Sequence, residues 1–448
     1  MTARTTVGSI VSVILLLGLL IACGPEALPS GSALSQREPE PTAQGSALPT
    51  ASPPEVSVEP ASSRMVDSPD TVDIFQIAQE QTAAGEAVMT IQVTLGEGDD
   101  QLHIAASQAT SVPLPCYPMV PAPLDKRYTC LTGGGFEADL WIARWGEGKQ
   151  QLLTHQNMGA SAWSSDGRWV AFSTLAEQDE QGDMPLKVLD LNTGEERVAA
   201  MMSAPYQMSF TATDKLVYLA EGALQVLDLP GTLKGEPLPA RSIPLKDIPT
   251  NEAYLRTDPS SVASAAWFKV SPKSDKVALL REFNAESGKL SILDLEGGHE
   301  VMVAEQMLNL HGAITNIFAW SPDGSTLAFV NLVDGGLIGD APQMYSELWL
   351  VDADGANLRQ LWRSEQPYLG YTALRWLPNG KAILTAAAVE SFSDLVQVTH
   401  AQSGQRADLF QGGKGILLTE TSPGVVTVLM QGAFGPSLMY YVSTLVYQ

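Results

Sequence analysis

Basic residues are scarce in this sequence of 448 residues. Lysine and arginine together number 26, against 50 aspartates and glutamates, which gives a formal net charge of −24 at pH 7. Such a chain repels the phosphate backbone of nucleic acids, so we expect no nucleic-acid partner. Hydrophobic residues make up 45% of the chain and charged residues 17%, a composition typical of a globular protein.

Histidine is rare, and the linear motifs of common enzymes are missing. The five histidines are scattered, and none is spaced as a metal-binding pair. The sequence has no Gly-x-Ser-x-Gly nucleophile motif, no His-Glu-x-x-His and no phosphate-binding Gly-x-x-x-x-Gly-Lys. We therefore expect no catalytic activity, no metal and no cofactor.

The apolar run Ile10–Ile21 is too short to span a bilayer comfortably as a helix, which favours a signal peptide over residues 1–22. This segment leads into Leu20–Cys23, which reads LIAC and resembles a bacterial lipobox, a Leu-x-small-Cys cleavage site. The resemblance implies that Cys23 becomes the acylated first residue of the mature protein. Its acyl chains, palmitate among them, would hold the protein to the cell membrane on the extracytoplasmic side. Plain secretion is the alternative.

Residues 23–70 are dominated by Pro, Ser, Ala and Glu and contain few large apolar side chains. Such a segment cannot bury enough surface to offset its ordering entropy, so we interpret it as a disordered tether behind the lipidated cysteine. Two further cysteines, Cys116 and Cys130, follow it. Outside the cytoplasm such a pair is a disulfide candidate, and two buried free thiols are the alternative.

One phrase recurs along the rest of the chain. It reads WSSDGRWVAFS from Trp163, WSPDGSTLAFV from Trp320 and WLPNGKAILTA from Trp376, and weaker copies begin at Phe210 and Val270. We expect the anchor residue to begin an inner strand and to pack between neighbouring repeats. Self-similarity at a spacing of 47 to 60 residues predicts a propeller or a solenoid.

Each copy is followed by a second apolar pair of segments around an Asn-Thr-Gly, Ala-Asp-Gly or Gln-Ser-Gly turn. Every unit therefore reads as strand, turn, strand, loop, strand, turn, strand, which is a four-stranded antiparallel blade. No helical period is present after residue 90, and the fold class is all-β. We predict that residues 71–448 form a β-propeller.

These units resemble the WD40-like propeller repeats of the TolB family. The matching residues are Trp320–Gly324 followed by Leu327–Phe329, and then Leu348–Gly355. The resemblance covers the chain from about Arg127 to its end. It implies a bacterial, extracytoplasmic β-propeller, and it does not by itself fix a function.

The number of blades depends on how the strands outside the five complete units are assigned. Five units are complete, and three strands are left over on each side of them, at 127–154 and 415–446. We predict seven blades, in which Val88–Leu95 closes the last blade and the segment near Cys116 completes the first. Six blades, with one blade shared between the two ends, is the alternative.

Long connections join strands 2 and 3 and successive blades, and they lie on one face of the disc, which we call the long-loop face. The turns within strand pairs are short and lie on the other face, the short-turn face. Loops on a rigid scaffold commonly carry binding sites. We expect the long loops to present an acidic rim with tyrosines, formed by Asp179, Asp183, Tyr254, Asp334, Asp340, Tyr345, Tyr368 and Tyr371.

These features predict a membrane-anchored extracytoplasmic lipoprotein. Its propeller would bind a protein or peptide partner, such as an envelope protein, through the long-loop face without catalysis, and we expect a monomer. A surface protein that binds solutes or glycans is the first alternative. A propeller-type lyase or hydrolase, with catalytic residues gathered at the axis, is the second.

Overall fold

The structure is a computed structural model, and all the residues that it describes belong to one compact unit, Glu59–Gln448. The described residues are 65–67, 90–107, 110–113, 117–122, 127–132, 138–144, 147–156, 161–179, 183–202, 207–220, 223–229, 240–245, 266–273, 275–284, 287–308, 317–338, 341–364, 370–390, 393–431 and 439–448. The predicted signal peptide, the lipidation site Cys23 and the tether up to residue 64 lie outside them.

The described strands form seven antiparallel sheets, which are the blades of a β-propeller. The predicted fold class and the seven blades are therefore confirmed. In blades 1 to 6 the innermost strand is shorter than its outer neighbour, whereas in blade 7 it is longer. The innermost strands of blades 1 to 7 are β5 (Tyr117–Pro121), β9 (Ser161–Trp163), β13 (Met208–Phe210), β17 (Ala266–Val270), β21 (Phe318–Trp320), β25 (Tyr371–Trp376) and β29 (Lys414–Ser422).

The second and third strands of each blade form its central hairpin. The second strands are β6 (Arg127–Thr132), β10 (Trp169–Ser173), β14 (Lys215–Ala220), β18 (Lys276–Asn284), β22 (Thr326–Ile338), β26 (Ala382–Glu390) and β30 (Val425–Gln431). The third strands are β7 (Asp139–Arg144), β11 (Met184–Asp190), β15 (Ala223–Asp228), β19 (Ser287–Asp294), β23 (Ala341–Asp352), β27 (Ser393–His400) and β31 (Met439–Tyr447).

The fourth strands of blades 1 to 6 follow their third strands directly in the chain. They are β8 (Glu147–Thr154), β12 (Glu195–Met202), β16 (Ala240–Pro244), β20 (Glu300–Leu308), β24 (Arg359–Arg363) and β28 (Arg406–Gly412). Several of them are largely exposed, as the burial patterns of β12, β16 and β24 show.

Blade 7 is closed by the two ends of the chain. Its three inner strands come from the C-terminal end, and strands β3 (Leu102–Ser107) and β4 (Thr110–Pro113) pair end to end along the outer edge of β31. Strand β2 (Thr90–Leu95) then pairs with β3, and a short 3-10 helix (Gly98–Asp100) joins the two. The prediction that Val88–Leu95 helps to close the last blade is confirmed, with β3 and β4 as the additional strands that make the direct contact.

Blade 1 gains strands from outside the repeat region as well. Strand β5, which begins one residue after Cys116, completes its inner edge as predicted. Strand β1 (Met65–Asp67) pairs with β8 at the outer edge, although the sequence analysis placed these residues in the tether. The composition of residues 23–70 predicts little apolar burial, but an edge strand can be held by main-chain hydrogen bonds alone.

The hydrophobic core lies between the blades. Each buried cluster joins neighbouring blades, for example blades 6 and 7 or blades 2 and 3. Trp163, Trp320 and Trp376 are 5%, 8% and 9% exposed and pack in these interfaces as predicted. They end their inner strands rather than begin them, because the strand precedes the turn that the anchor introduces.

The turn after each tryptophan is fixed by local hydrogen bonds. In blade 5 the Ser321 hydroxyl donates to Asp323 Oδ1 at 2.5 Å and accepts the Thr326 N–H at 3.0 Å. Gly324 has a φ of +68°, and a side chain there would collide with Ser271 in blade 4. The Asp-Gly pair is therefore required both by the turn and by the close approach of two blades.

Candidate binding surfaces

Blade 5 carries a two-stranded arm on the long-loop face. Strands β22 and β23 pair from Thr326 and Asp352 out to Ile338 and Ala341, whereas the outer strand β24 pairs only as far as Glu347. Beyond Ser346 the two strands pair only with each other among the described residues. Asp334 and Tyr345 were predicted to lie on a long loop between strands 2 and 3, but residues 331–338 and 341–347 form a β-ribbon instead.

Two of the predicted binding residues, Asp334 and Tyr345, lie in the arm. Asp334 lies in β22 opposite Met344, and Tyr345 lies at the base of the arm in β23. The guanidinium of Arg363 stacks on the Tyr345 ring at 4.5 Å, and its Nη1 lies 3.8 Å from Glu347 Oε1. Tyr345 and Arg363 therefore form one surface at the root of the arm.

Asp179 and Asp183 belong to the same connection in blade 2 and are hydrogen-bonded to each other. The Asp183 N–H donates to Asp179 Oδ1 at 2.8 Å, and the Asp179 N–H donates to the Asp183 carbonyl at 2.9 Å. This pair closes the base of the loop. Tyr254, Asp340 and Tyr368 lie outside the described residues.

Tyr371 differs from its prediction. It begins β25, is 1% exposed, and donates its hydroxyl hydrogen bond to Gln397 Oε1 at 3.0 Å. Its ring lies 5.4 Å from the ring of Trp362, and burial raises the pKa of its hydroxyl. Tyr371 is therefore a core residue in the buried cluster that joins blades 5 and 6.

Two basic residues, Lys269 and Arg375, belong to the inner strands of blades 4 and 6. Lys269 and Arg375 are the penultimate residues of the inner strands β17 and β25, and both are partly exposed. Lys269 Nζ donates to the Phe318 carbonyl at 2.7 Å and lies 4.6 Å from the centre of the Phe318 ring. Burial and the charge of Arg375 hold the pKa of Lys269 well below its ordinary value.

A cleft of about 380 Å³ runs between blades 5 and 6 on the short-turn face. Its floor includes Trp376, and polar groups from both blades surround it. Arg359 reaches across it and donates to the Ala401 carbonyl at 2.8 Å. The lining also includes Lys273, Asp323, Asp352, Asn357, Asn379 and Gln402.

Cys130 is buried in β6 and is disulfide-bonded. Its predicted partner Cys116 lies outside the described residues, so their pairing stays a prediction.

Among the residues described, no group of three or more His, Cys, Asp or Glu side chains is arranged to hold a metal ion. In the same part of the chain no helix is long and apolar enough to cross a membrane.

Solved structures of other proteins share this architecture. The TolB of Acinetobacter baumannii is 14% identical over 66% of this chain and 69% of its own, with a TM-score of 0.36. An oligogalacturonate lyase of Vibrio parahaemolyticus is 13% identical over 79% and 97%, with a TM-score of 0.47. The β-propeller domain of Cps50 (Swd1) from Myceliophteria thermophila is 11% identical over 74% and 98%, with a TM-score of 0.48.

At these identities the likeness concerns the fold alone. The predicted similarity to TolB-like and WD40-like propellers is confirmed at that level. No protein-family model and no curated protein matches the chain.

Proposed function

We propose that this protein is an extracytoplasmic lipoprotein, anchored to the cell membrane through Cys23, whose propeller binds a protein or peptide partner without catalysing a reaction. The arm of blade 5 is the observation that supports partner binding. It extends from a rigid scaffold, as binding elements commonly do.

The arm is suited to main-chain recognition. Its pairs from Leu332 to Ile338 extend roughly 20 Å, at about 3.4 Å per residue. Among the described residues, neither edge of this ribbon pairs with a further strand. An open strand edge offers N–H and carbonyl groups to an extended peptide, which can bind by adding a strand. The Tyr345 and Arg363 pair at the root adds side-chain types that often dominate interface energies.

The test is a crosslinking capture from the cell envelope with the full chain as bait. Replacing residues 334–344 with Asn-Gly shortens the arm to a tight hairpin that keeps the Val333–Tyr345 pair in register, and Arg363→Ala removes the guanidinium at its root. We expect both changes to reduce the captured partner strongly. Arg359→Ala, on the same strand but at the short-turn face, is the matched control and should capture as the parent does. Equal capture by all variants would contradict the proposal.

The anchor is tested separately by metabolic labelling with palmitate. The parent chain should incorporate label and sediment with membranes, whereas Cys23→Ser should do neither. A labelled or membrane-bound Cys23→Ser variant would show that another site carries the lipid.

A second candidate function, capture of a solute or glycan, is favoured by the cleft between blades 5 and 6. An aromatic floor with amide, carboxylate and guanidinium groups above it is chemically suited to a polar ligand such as a sugar. A panel of neutral and acidic oligosaccharides should then raise the unfolding temperature of the parent and leave that of a Trp376→Phe, Arg359→Ala variant unchanged. The absence of any response to the panel removes this candidate.

A further inference from the structure

The third strand of blade 6 ends in a histidine, His400, where the same strands of four other blades end in aspartate. Those aspartates are Asp190, Asp228, Asp294 and Asp352. An aspartate at this place caps the turn that follows, as Asp294 Oδ1 does by accepting the Glu296 N–H at 2.8 Å. In blade 6, His400 Nδ1 accepts the Ser403 N–H at 3.2 Å instead. The histidine therefore keeps the capping contact and has a second ring nitrogen, Nε2, for another contact.

The tip of the β2–β3 hairpin, residues 96–101, lies against this turn of blade 6. Asp100 Oδ2 is 3.4 Å from His400 Nε2, and the Gly96 N–H donates to Gln405 Oε1 at 2.7 Å. Gly96 has a φ of +82°, and a Cβ added there would lie 3.0 Å from the His400 ring. The hairpin closes blade 7 through β3, so its tip links that closure to blade 6.

These contacts enclose His400 almost completely. It is 1% exposed, and within the described residues its Nε2 has no hydrogen-bond partner, because the nearby Asp100 carboxylate is not aligned for a hydrogen bond. Buried polar atoms are rarely left unpaired in folded proteins, since an unpaired atom has lost its contacts with water. We therefore asked which state of the imidazole the surrounding groups satisfy.

The charged residues on the surrounding elements favour one answer. Within the described part of the chain, Asp100 has the one carboxylate within 4 Å of the imidazole, and Lys381 Nζ lies 3.8 Å from the other oxygen of that carboxylate. Other titratable residues on the hairpin, at the start of β24 and on β28 are exposed or bound elsewhere: Glu97, Asp99, His103, Arg359, Arg406 and Asp408. A positive charge on His400 would therefore face its counter-charge directly.

A protonated imidazole also has an acceptor for each of its two N–H groups at this place. Nδ1 lies 3.0 Å from Ser403 Oγ, and Nε2 faces Asp100 Oδ2. Imidazole changes its charge between about pH 5 and 8, and a charged donor binds a carboxylate roughly twice as strongly as a neutral one. Burial opposes the charge, and the carboxylate of Asp100 is in place to offset that effect.

We propose that His400 and Asp100 form a pH-sensitive latch between blade 6 and the β2–β3 hairpin, which is tighter when His400 is protonated. The added stabilisation of the hairpin is present in mildly acidic solution. It is lost as the pH rises and the imidazole releases its proton. The latch lies on the short-turn face and does not depend on the function proposed for the arm.

The experiment measures amide hydrogen exchange of the full chain at about pH 5.5 and about pH 7.5, on either side of the usual titration of imidazole, with rates corrected for the intrinsic effect of pH on exchange. Protection of the β2 amides should be about fivefold higher at the lower pH, which is the difference between a charged and a neutral hydrogen bond. The β10 amides in blade 2 are the internal reference, and the ratio of the two protections should change by that factor. An equal ratio at both pH values overturns the proposal.

Substitutions assign the response to the latch. The side chain of His400→Gln cannot be protonated and that of Asp100→Asn has no charge, so both should remove the pH dependence of β2 protection. Asp99→Asn removes the same charge from an exposed place on the tip and is the matched control, with the parental pH dependence expected. His400→Asp introduces the residue of the other blades next to Asp100, and repulsion between the two carboxylates should lower β2 protection at both pH values.

A purely structural role for His400 predicts a different result. His400→Gln would then lower β2 protection by the same factor at both pH values and leave its pH dependence unchanged, which would contradict the proposal. If His400→Gln fails to fold, Asp100→Asn decides the question, because Asp100 is partly exposed and lies outside the core. A parental pH dependence in that variant would likewise exclude the latch.

Discussion

Blade 5 and blade 3 are joined to their neighbours by different contacts. At blade 5 the interface on each side has an indole hydrogen bond, from Trp320 to Lys269 O at 2.8 Å and from Trp376 to Ala319 O at 3.0 Å. Blade 3 has Phe210 at the anchor position, which is 8% exposed and packs equally well but has no donor.

Other residues supply the missing contacts around blade 3. Asp214 Oδ1 accepts the backbone N–H and the hydroxyl of Ser165 in blade 2, at 2.8 and 2.9 Å. Gln207 Oε1 accepts the Phe268 N–H of blade 4 at 2.7 Å. The ring therefore requires polar contacts between adjacent blades, and a tryptophan is one of several ways to provide them.

Removing the ion pair of blade 2 should cause the largest loss of unfolding free energy. Arg168 donates three hydrogen bonds to the Asp190 carboxylate, two from Nε at 3.1 and 3.2 Å and one from Nη2 at 2.6 Å, and the Asp190 side chain is 2% exposed. Asp190→Asn should lower the free energy of unfolding by about 3 kcal/mol, since it leaves a partly buried guanidinium without its counter-charge. Asp228→Asn, at the equivalent and exposed position of blade 3, is the matched control and should change it by less than about 0.5 kcal/mol. Similar losses of unfolding free energy in both variants, measured by denaturant titration, would show that the burial of Asp190 does not account for its contribution.

The same pair predicts an acid dependence. The hydrogen bond from Arg168 holds the pKa of Asp190 below its usual value. Its stabilising contribution is therefore present above the pKa of the unfolded chain, about 3.9, and is lost as the pH falls through the lower folded value. The difference between parent and Asp190→Asn should be constant near neutral pH and shrink below about pH 4. A stability difference that grows as the pH falls would mean that the pKa of Asp190 is raised, rather than lowered, in the folded protein.

A smaller effect is expected from the indole bonds of blade 5. Trp320→Phe leaves the Lys269 carbonyl without its donor and should cost about 2 kcal/mol. Trp267→Phe is the matched control, because the buried Trp267 Nε1 has no hydrogen-bond partner in the described residues. That change removes an unsatisfied donor and should cost less than about 1 kcal/mol. Equal unfolding free energies for the two variants would mean that ring size alone matters.

The smallest effect is expected at blade 3. Asp214 has a φ of +56°, so glycine fits its backbone while removing the acceptor. Asp214→Gly should cost about 1 kcal/mol, because two hydrogen bonds to Ser165 are lost and some backbone strain is relieved. Asp214→Asn keeps an acceptor and tolerates the same φ, so its unfolding midpoint should lie within the error of the parent. A destabilised Asn variant would show that the charge, rather than the acceptor, holds blades 2 and 3.

The repeat itself was predictable because its determinants are local. Tryptophan, the Asp-Gly turn and the alternating strand recur every 47 to 60 residues, and each turn is stabilised by hydrogen bonds between residues near in sequence. Strand counting at the two ends also gave the seventh blade. The contact that β3 makes with β31 was not predictable, since pairing between residues about 340 positions apart has no local signature.

The binding surfaces were predicted less well. Length alone does not separate a loop from an extended hairpin, so the arm was read as a loop, and Tyr371 was placed on the rim although its ring fills a core position.

The closure of blade 7 has a consequence for how the chain acquires its shape. Strands β2, β3 and β4 are synthesised early, yet β31, with which β3 and β4 pair, lies more than 320 residues later in the chain. During synthesis these early segments stay without that neighbour until β31 is made. A chain cut short before Met439 therefore lacks the strand on which the closure of blade 7 depends and leaves the edge of β30 uncovered.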